Sequence, residues 1–175
     1  MPEAYAPGVY GLVGAAVNIF VLDDAESGLT LIDAGLPGSS SRMLELVQEL
    51  GHSPHDVRHI LITHADTDHV GGLKALVDAT GAAVYASAEA AGYIQRRASP
   101  PHLRMPARLF SAVLNRFLRR AVTVSRPVSD GETLPIAGGI LVIATPGHTP
   151  DHVCYYWERG RVLFAGDLLN NRSGL

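Results

Sequence analysis

Short apolar runs, many of them β-branched, recur along the chain and are separated by turns rich in glycine. Such runs are typical of β-strands, whereas apolar residues spaced three or four apart are typical of helices. The strand-like runs are Val9–Leu12, Ala16–Leu22, Leu29–Asp33, His59–Thr63, Ala83–Ala86, Val122–Ser125, Gly139–Ala144, His152–Trp157 and Val162–Ala165. The helical segments, each followed by a glycine, are Ser39–Leu50 and Leu73–Thr80. Strands and helices alternate in the first half and strands dominate the last third, which predicts an α/β fold with two sheets covered by helices.

Composition narrows the class of protein. The 175 residues are enough for about one domain, and 47% of them are hydrophobic, so the chain can form a sizeable core. The net charge of −3 argues against a general nucleic-acid binder. No apolar run reaches the roughly 18 residues of a membrane span. Because Met1-Pro2-Glu3 lacks a cationic signal region and Cys154 is the single cysteine, we expect a cytoplasmic protein with a buried structural thiol.

The basic residues are unevenly distributed along the chain. Residues 96–126 hold eight of the 14 lysines and arginines and none of the 17 acidic residues. Apolar residues of this segment fall on one helical face, and the opposite face carries Arg108, Arg116, Arg119 and Arg120. We therefore predict a helical basic segment over about residues 88–121. It is either an ordinary amphipathic helix with a solvated face, or a cap in which Arg108 and Arg116 attract anionic or lipid-like substrates.

The segment LITHADTDHVGG, residues 61–72, is the most informative part of the sequence. Two histidines, His64 and His69, and two carboxylates, Asp66 and Asp68, lie within six residues, between an apolar strand and a helix. Imidazole and carboxylate are ligands that borderline divalent metals prefer. The glycine pair that follows permits a close backbone approach at the helix start. This density of ligands predicts a metal site at the end of the strand.

Two further clusters support a metal site. His148 lies in a Pro/Gly turn directly after one strand, and Asp167 directly follows another. Loops beyond strand ends can direct several side chains toward one point on a rigid scaffold. We therefore expect the three clusters to converge at one edge of the sheets.

These motifs resemble those of the metallo-β-lactamase-fold hydrolase superfamily. The resemblance covers nearly the whole chain: the N-terminal strand meander, residues 31–35 (LIDAG), residues 64–69, residues 146–149 (PGHT) and Gly166-Asp167. It implies a four-layer αβ/βα sandwich with two divalent ions, usually zinc, at the edge between the sheets. It also implies hydrolysis of a small-molecule substrate by attack of a metal-bound hydroxide.

The resemblance assigns roles to particular residues. It implies that His64, Asp66 and His148 hold the first metal, that Asp68 and His69 hold the second, and that Asp167 bridges the two. Asp68 would also help to position the attacking water and handle its proton. Asp33 looks like the family's carboxylate that orients a histidine ligand, although capping of the turn before Leu36-Pro37-Gly38 is an equally good interpretation.

The loop departs from the usual His-x-His-x-Asp-His pattern, because Asp66 stands where the second histidine is expected. A carboxylate can still bind a metal. Asp66, Asp68 and Asp167 together with a bridging hydroxide carry four negative charges, which cancel the four positive charges of two divalent ions. A histidine at position 66 would instead leave a net charge of +1. We expect weaker Lewis acidity and a gain of iron or manganese relative to zinc.

A second departure concerns the family's last metal-binding histidine, which lies well downstream of the Gly-Asp motif. The chain given ends at Leu175, and no histidine follows Asp167. His152 lies close behind His148 and is a poor substitute. We therefore expect a chain truncated relative to the family domain, without its final strands and helix, with an altered second metal site and exposed edge strands that favour homo-oligomers.

Three functional hypotheses follow. The first is a metal-dependent hydrolase of a thioester, lactone or lactam, similar to the glyoxalase-II and lactonase branches. The second is a mononuclear non-haem iron dioxygenase acting on a sulfur substrate, because His64, His148 and Asp167 have the composition of a two-histidine, one-carboxylate triad. The third is a catalytically impaired metal-binding fragment.

Overall fold

The structure is a computed structural model that describes residues 2–14, 17–24, 26–101 and 119–169. Its strands form two sheets. The first sheet contains, in spatial order, β1 (Ala4–Ala6), β2 (Val9–Val13), β3 (Asn18–Asp24), β4 (Gly28–Ile32), β5 (Val57–Leu61), β6 (Ala83–Ser87) and β7 (Arg126–Val128). The second sheet has the order β11-β10-β9-β8 and contains β8 (Thr133–Leu134), β9 (Ile140–Ala144), β10 (Val153–Trp157) and β11 (Val162–Phe164). The described residues form the helices α1 (Ser39–Glu49), α2 (Thr67–Val70), α3 (Leu73–Thr80) and α4 (Ala88–Arg96), with 3-10 turns at Pro54–Asp56 and Gly166–Leu168.

The first sheet changes from antiparallel to parallel at β4. Strands β1 to β4 form an antiparallel meander, and β4 to β7 pair in parallel. Parallel neighbours need crossover connections, which here contain α1, then α2 with α3, then α4. Because β4 and β5 run in the same direction, the loops that follow them emerge at the same edge of the sheet. This topology brings Asp33, directly after β4, close to the loop that follows β5.

Two apolar cores separate three layers. The first core lies between the seven-stranded sheet and helices α1, α3 and α4, and its members include Leu31, Met43 and Leu76. The second core lies between the two sheets and includes Tyr155 and Trp157 of β10. The predicted α/β sandwich with two facing sheets is thus confirmed, and the described residues form helices, first sheet and second sheet in that order.

The element boundaries agree with the sequence patterns in most places. Helix α3 has the predicted bounds, and Gly51 and Gly81 follow their helices with φ of 87° and 72°, in the left-handed region that glycine tolerates. The strand prediction for Val122–Ser125 was wrong. Val122 and Val124 are buried as a strand pattern requires, but regular pairing with β6 begins only at Arg126.

The basic segment is described only in part. Its first residues form α4, which buries Ala90 and Ile94 in the first core. Arg108 and Arg116 lie in residues 102–118, outside the described residues, so their role in a cap stays a prediction. In the described ranges, no helix is long and apolar enough to cross a membrane.

Candidate metal centre

Four loops bring the predicted ligands together where the two sheets meet. They follow β4, β5, β9 and β11 and carry, respectively, Asp33, the His64–His69 loop, His148 and Asp167. The ring of His64 lies 4.0 Å from that of His69 and 5.2 Å from that of His148, measured between centroids. The three clusters therefore converge, as the strand-end argument predicted.

Asp33 is buried on the side of the site that the first sheet forms, and it connects two loops there. Its side chain is 2% exposed, and its backbone adopts φ of 62°, unusual for a residue other than glycine. Oδ1 accepts a hydrogen bond from the Thr63 backbone N–H at 2.8 Å, and Oδ2 accepts one from the Thr63 hydroxyl, also at 2.8 Å. Oδ2 also lies 2.8 Å from Nδ1 of His69. One carboxylate therefore joins the loops after β4 and β5.

These contacts determine which ring nitrogens carry protons. A carboxylate can only accept, so Nδ1–H of His69 donates to Asp33. The Thr63 hydroxyl proton is also directed at Asp33, so Thr63 Oγ1, 3.1 Å from Nδ1 of His64, accepts from that nitrogen. Both histidines thus keep Nε2 for another partner. This is how second hydrogen bonds prepare histidines for metal binding.

The ligand atoms form two groups that share His64. In the first group, Asp66 Oδ2 lies 3.5 Å from Nε2 of His64 and 3.2 Å from Nε2 of His148. The second group contains His64, His69 and Asp167. Oδ1 of Asp167 is 3.2 Å from Nε2 of His69, and its Oδ2 is 3.5 Å from Nε2 of His148. Asp167 therefore reaches both groups with different oxygens.

The electrostatics of the cluster favour a cation. Burial opposes a charge on His69, but Asp33 and Asp167 outweigh it and raise the pKa of His69 to about 10. The adjacent His69 imidazole in turn lowers the pKa of Asp167 to about 2, against the opposing effect of burial. The carboxylates around His69 therefore favour a positive charge at this point of the cluster.

The donor set fits a divalent metal. Nε2 of His64 is buried and makes no hydrogen bond to any of the described residues, whereas Nε2 of His69 lies 3.2 Å from Oδ1 of Asp167. A buried polar nitrogen without a partner is costly, whereas a metal ion would satisfy it. Each group offers two imidazoles and one carboxylate, which suits zinc, iron or manganese.

Asp68 belongs to neither group of ligand atoms. It lies in the first turn of α2, partly buried, and its carboxylate contributes to the raised pKa of His69. Its assigned role as ligand and catalytic residue stays a prediction. By contrast, the close approach predicted for the glycine pair is present, because a Cβ at Gly72 would lie 2.4 Å from the Ala34 carbonyl oxygen.

Sequence reasoning missed the residues that hold the His64–Asp66 loop from behind. Asp151 Oδ2 accepts from the Ala65 backbone N–H at 2.8 Å, and Nη1 of Arg119 donates to the Ala65 carbonyl at 3.1 Å and to the Ala98 carbonyl at 2.8 Å. The sequence pattern puts Arg119 on the basic face, either solvated or part of a cap, and its exposure of 3% shows that a solvated position is wrong. Burial lowers its pKa to about 10, so it remains charged at neutral pH.

The contacts of His152 agree with its interpretation as a poor substitute for the family's last histidine. Both of its ring nitrogens already have protein partners, Thr145 at Nδ1 and the Asp167 backbone at Nε2. Cys154 is buried, as predicted for a structural thiol.

Known proteins resemble the chain in sequence and in fold. It is 29% identical over 170 residues to a probable metallo-hydrolase, YflN, of Bacillus subtilis, covering 93% of this chain and 64% of that protein. It is 32% identical over 136 residues to a hydroxyacylglutathione hydrolase of Methylobacillus flagellatus, covering 76% and 41%. A solved metallo-β-lactamase of Cronobacter sakazakii, described by a HARLDQ motif, superposes with a TM-score of 0.76 at 28% identity, covering 91% and 59%.

The chain spans less than two thirds of the length of each of these three relatives. A sequence model of the metallo-β-lactamase superfamily matches residues 12–175. With this match and the facing sheets around a His/Asp cluster, the chain belongs to the metallo-β-lactamase superfamily.

Proposed function

We propose that the chain is a metal-dependent hydrolase that cleaves an ester-like bond, namely a thioester, lactone or lactam, with two divalent ions. The observation that carries this proposal is the position of Asp167. Its two carboxylate oxygens lie 3.2 Å from Nε2 of His69 and 3.5 Å from Nε2 of His148, one oxygen for each histidine. A carboxylate between two imidazoles of different ligand groups suits a ligand that bridges two ions.

The proposed ligands divide between two ions. His64, Asp66 and His148 would hold the first, because their ligand atoms lie within 4.8 Å of one another. His69 and Asp68 would hold the second, and Asp167 would contact both. Asp33 accepts the Nδ1 proton of His69 and Thr63 accepts that of His64, which orients Nε2 of each ring toward the other ligand atoms.

The chain's own groups prepare the reaction. Divalent ions, when bound, lower the pKa of water and neutralise the charge that develops on a substrate carbonyl oxygen. Asp68, in the first turn of α2, would orient the attacking water and accept its proton. The half-exposed His148 and Asp167 form the open side of the cluster, through which a substrate would enter.

The relatives support an acyl substrate. One is called a hydroxyacylglutathione hydrolase, and hydroxyacylglutathione is a thioester; another is called a metallo-β-lactamase. The HARLDQ motif in that second name agrees with residues 64–69, HADTDH, at the first, second and fifth letters. Variation at the third letter supports the inference that Asp66 alters the site without abolishing it.

Metal analysis with an activity panel tests the proposal. The purified protein, reconstituted with Zn²⁺, Fe²⁺ or Mn²⁺, should hold about two ions per chain and hydrolyse a generic thioester, a lactone or a β-lactam. Asp167→Ala should lose both properties, whereas His55→Asn, a change at an exposed histidine that belongs to neither ligand group, should lose neither. A wild-type protein that takes up no stoichiometric metal would refute the proposal.

A second candidate function has one observation in its favour. Each ligand group contains two histidines and one carboxylate, the composition of a mononuclear iron oxygenase site. The same metal analysis separates the two candidates. One iron per chain, with oxygen consumption in the presence of a thiol or persulfide and no ester hydrolysis, would favour the dioxygenase.

A further inference from the structure

Three residues behind Asp167 form a hydrogen-bonded chain that the ligand assignments do not use. The backbone N–H of Asp167 donates to Nε2 of His152 at 3.1 Å. Nδ1 of His152 lies 2.7 Å from the Thr145 hydroxyl, which lies 3.3 Å from Sγ of Cys154. Cys154 donates to the carbonyl of Ala165 at 3.4 Å. The chain therefore begins and ends on the loop that carries Asp167.

The groups at the two ends of this chain determine the donor and the acceptor of every hydrogen bond in it. A backbone N–H can only donate, so Nε2 of His152 is the acceptor and Nδ1 carries the proton. The Thr145 oxygen accepts that proton and its own hydroxyl hydrogen is left to donate to Cys154. The thiol then donates to the carbonyl oxygen, which can only accept. Each donor in the chain thus has one acceptor.

Because His152 is buried, water cannot readily replace its hydrogen bonds to Asp167 and Thr145. His152 is 1% exposed, and its ring lies 5.0 Å from the ring of His64. Because Nε2 accepts from the backbone N–H of Asp167, it carries no proton and the ring is neutral. A neutral ring has one nitrogen that accepts and one that donates, as the contacts to Asp167 and Thr145 require.

The neighbouring glycine shows how closely the loop approaches His152. Gly166 has φ of 51°, and a Cβ there would lie 2.7 Å from Nε2 of His152 and 2.9 Å from Oγ1 of Thr63. A side chain would therefore push the loop off both residues. The loop before Asp167 is fitted to His152 on one side and to the Asp33–Thr63 contact on the other.

We propose that His152 is a positioning residue for the metal centre: through Nε2 it fixes the backbone of Asp167, with Thr145 and Cys154 fixing the ring and the preceding carbonyl. Asp167 is half-exposed and would otherwise be held mainly by its contacts to histidines. This inference rests on the proposed function in one respect, since it takes Asp167 to be a bridging ligand. It assigns His152 no contact with metal or substrate.

Two replacements of His152 separate hydrogen bonding from packing. The oxygen of glutamine can reach the position of Nε2 and accept from Asp167, whereas the shorter asparagine reaches only the position of Nδ1. We expect His152→Asn to weaken the binding of one of the two Zn²⁺ ions about tenfold or more. His152→Gln should stay within about threefold of the wild type, and His55→Asn serves as the exposed control. Zn²⁺ affinity is measured by competition with a chelating dye.

The outcomes are distinct. Unchanged Zn²⁺ binding in His152→Asn, or equal weakening in both variants, would overturn the inference. If His152→Asn does not fold, Thr145→Val and Thr145→Ser decide, because only serine keeps the hydroxyl that accepts from Nδ1. Weakened Zn²⁺ binding in Thr145→Val alone supports the inference, and equal binding in the two variants overturns it.

Nuclear magnetic resonance of the metal-free protein tests the hydrogen bond without relying on metal. The ¹⁵N signals of His152 should show a protonated Nδ1 and an unprotonated Nε2 at neutral pH, and a protonated Nε2 would overturn the inference. If the wild type binds no metal but the tautomer is as expected, the proposed function fails while the His152–Asp167 contact stands.

Discussion

The two sides of the candidate metal centre differ in how firmly they are held. On the first-sheet side, the side chains of His64, His69 and Asp33 are at most 2% exposed, and side-chain hydrogen bonds fix both histidine rings. On the second-sheet side, His148 and Asp167 have side chains 34% and 28% exposed. The first side is therefore held by contacts within the protein, and the second side has more freedom to adjust.

This difference has a physical origin in the strands that precede each loop. The loops after β4 and β5 leave parallel neighbours in the centre of a seven-stranded sheet, so their residues are covered on both faces. The loops after β9 and β11 leave a four-stranded sheet, and β11 is an edge strand in the described ranges. We therefore expect substitutions on the first side to affect folding and metal binding together, and those on the second side to affect metal binding alone.

The largest effect is expected from Asp33→Asn. The carboxylate accepts from the Thr63 N–H, the Thr63 hydroxyl and His69 Nδ1, whereas an amide has a single accepting oxygen. At least one buried donor then loses its acceptor, which should lower the free energy of unfolding by about 3 kcal/mol. Urea denaturation of the metal-free protein measures this loss. Asp78→Asn, at an exposed residue, should change it by less than about 0.5 kcal/mol.

Asp167→Asn is the matching substitution on the other side. We expect it to lower the free energy of unfolding of the metal-free protein by less than Asp33→Asn does, because the side chain is partly solvated. Its affinity for the second Zn²⁺ should nevertheless fall about tenfold or more, because a negative ligand is lost. Comparable destabilisation by Asp33→Asn and Asp167→Asn would contradict the proposed difference between the two sides.

Arg119→Met tests the support behind the first side. One guanidinium nitrogen donates to the carbonyls of Ala65 and Ala98, and methionine removes both bonds while filling similar space. The loss of the donor to one buried and one partly buried carbonyl should cost about 2 kcal/mol of stability. Because Ala65 lies between His64 and Asp66, the first metal should also bind more weakly. Arg120→Met, at the exposed neighbouring arginine, is the control, and thermal unfolding with and without Zn²⁺ gives both readouts.

The sequence predicts the candidate ligands of the site better than the residues that support them. Strand ends, helix-ending glycines and the dense His/Asp loop are local patterns, and they predicted where His64, His69, His148 and Asp167 would converge. The supporting contacts join residues far apart in the chain: Thr63 to Asp33 across 30 positions, and Ala65 to Asp151 across 86. No local pattern marks such a partner, which is why a buried Arg119 was mistaken for a surface residue.

The smallest effect is expected from Asp66→His, which restores the family's usual loop. Asp66 lies 3.5 Å from Nε2 of His64 and 3.2 Å from Nε2 of His148, on the boundary between the firm and the adjustable side. Replacing the carboxylate with imidazole removes one negative charge and offers a ligand better matched to zinc than to manganese. Zinc retention during dialysis against a chelator should rise by a few-fold, and the preference for Zn²⁺ over Mn²⁺ should rise with it. Equal metal content in the two proteins would show that the charge of residue 66 does not determine which metal binds. The preference for one metal would then have to come from the buried histidines of the first side.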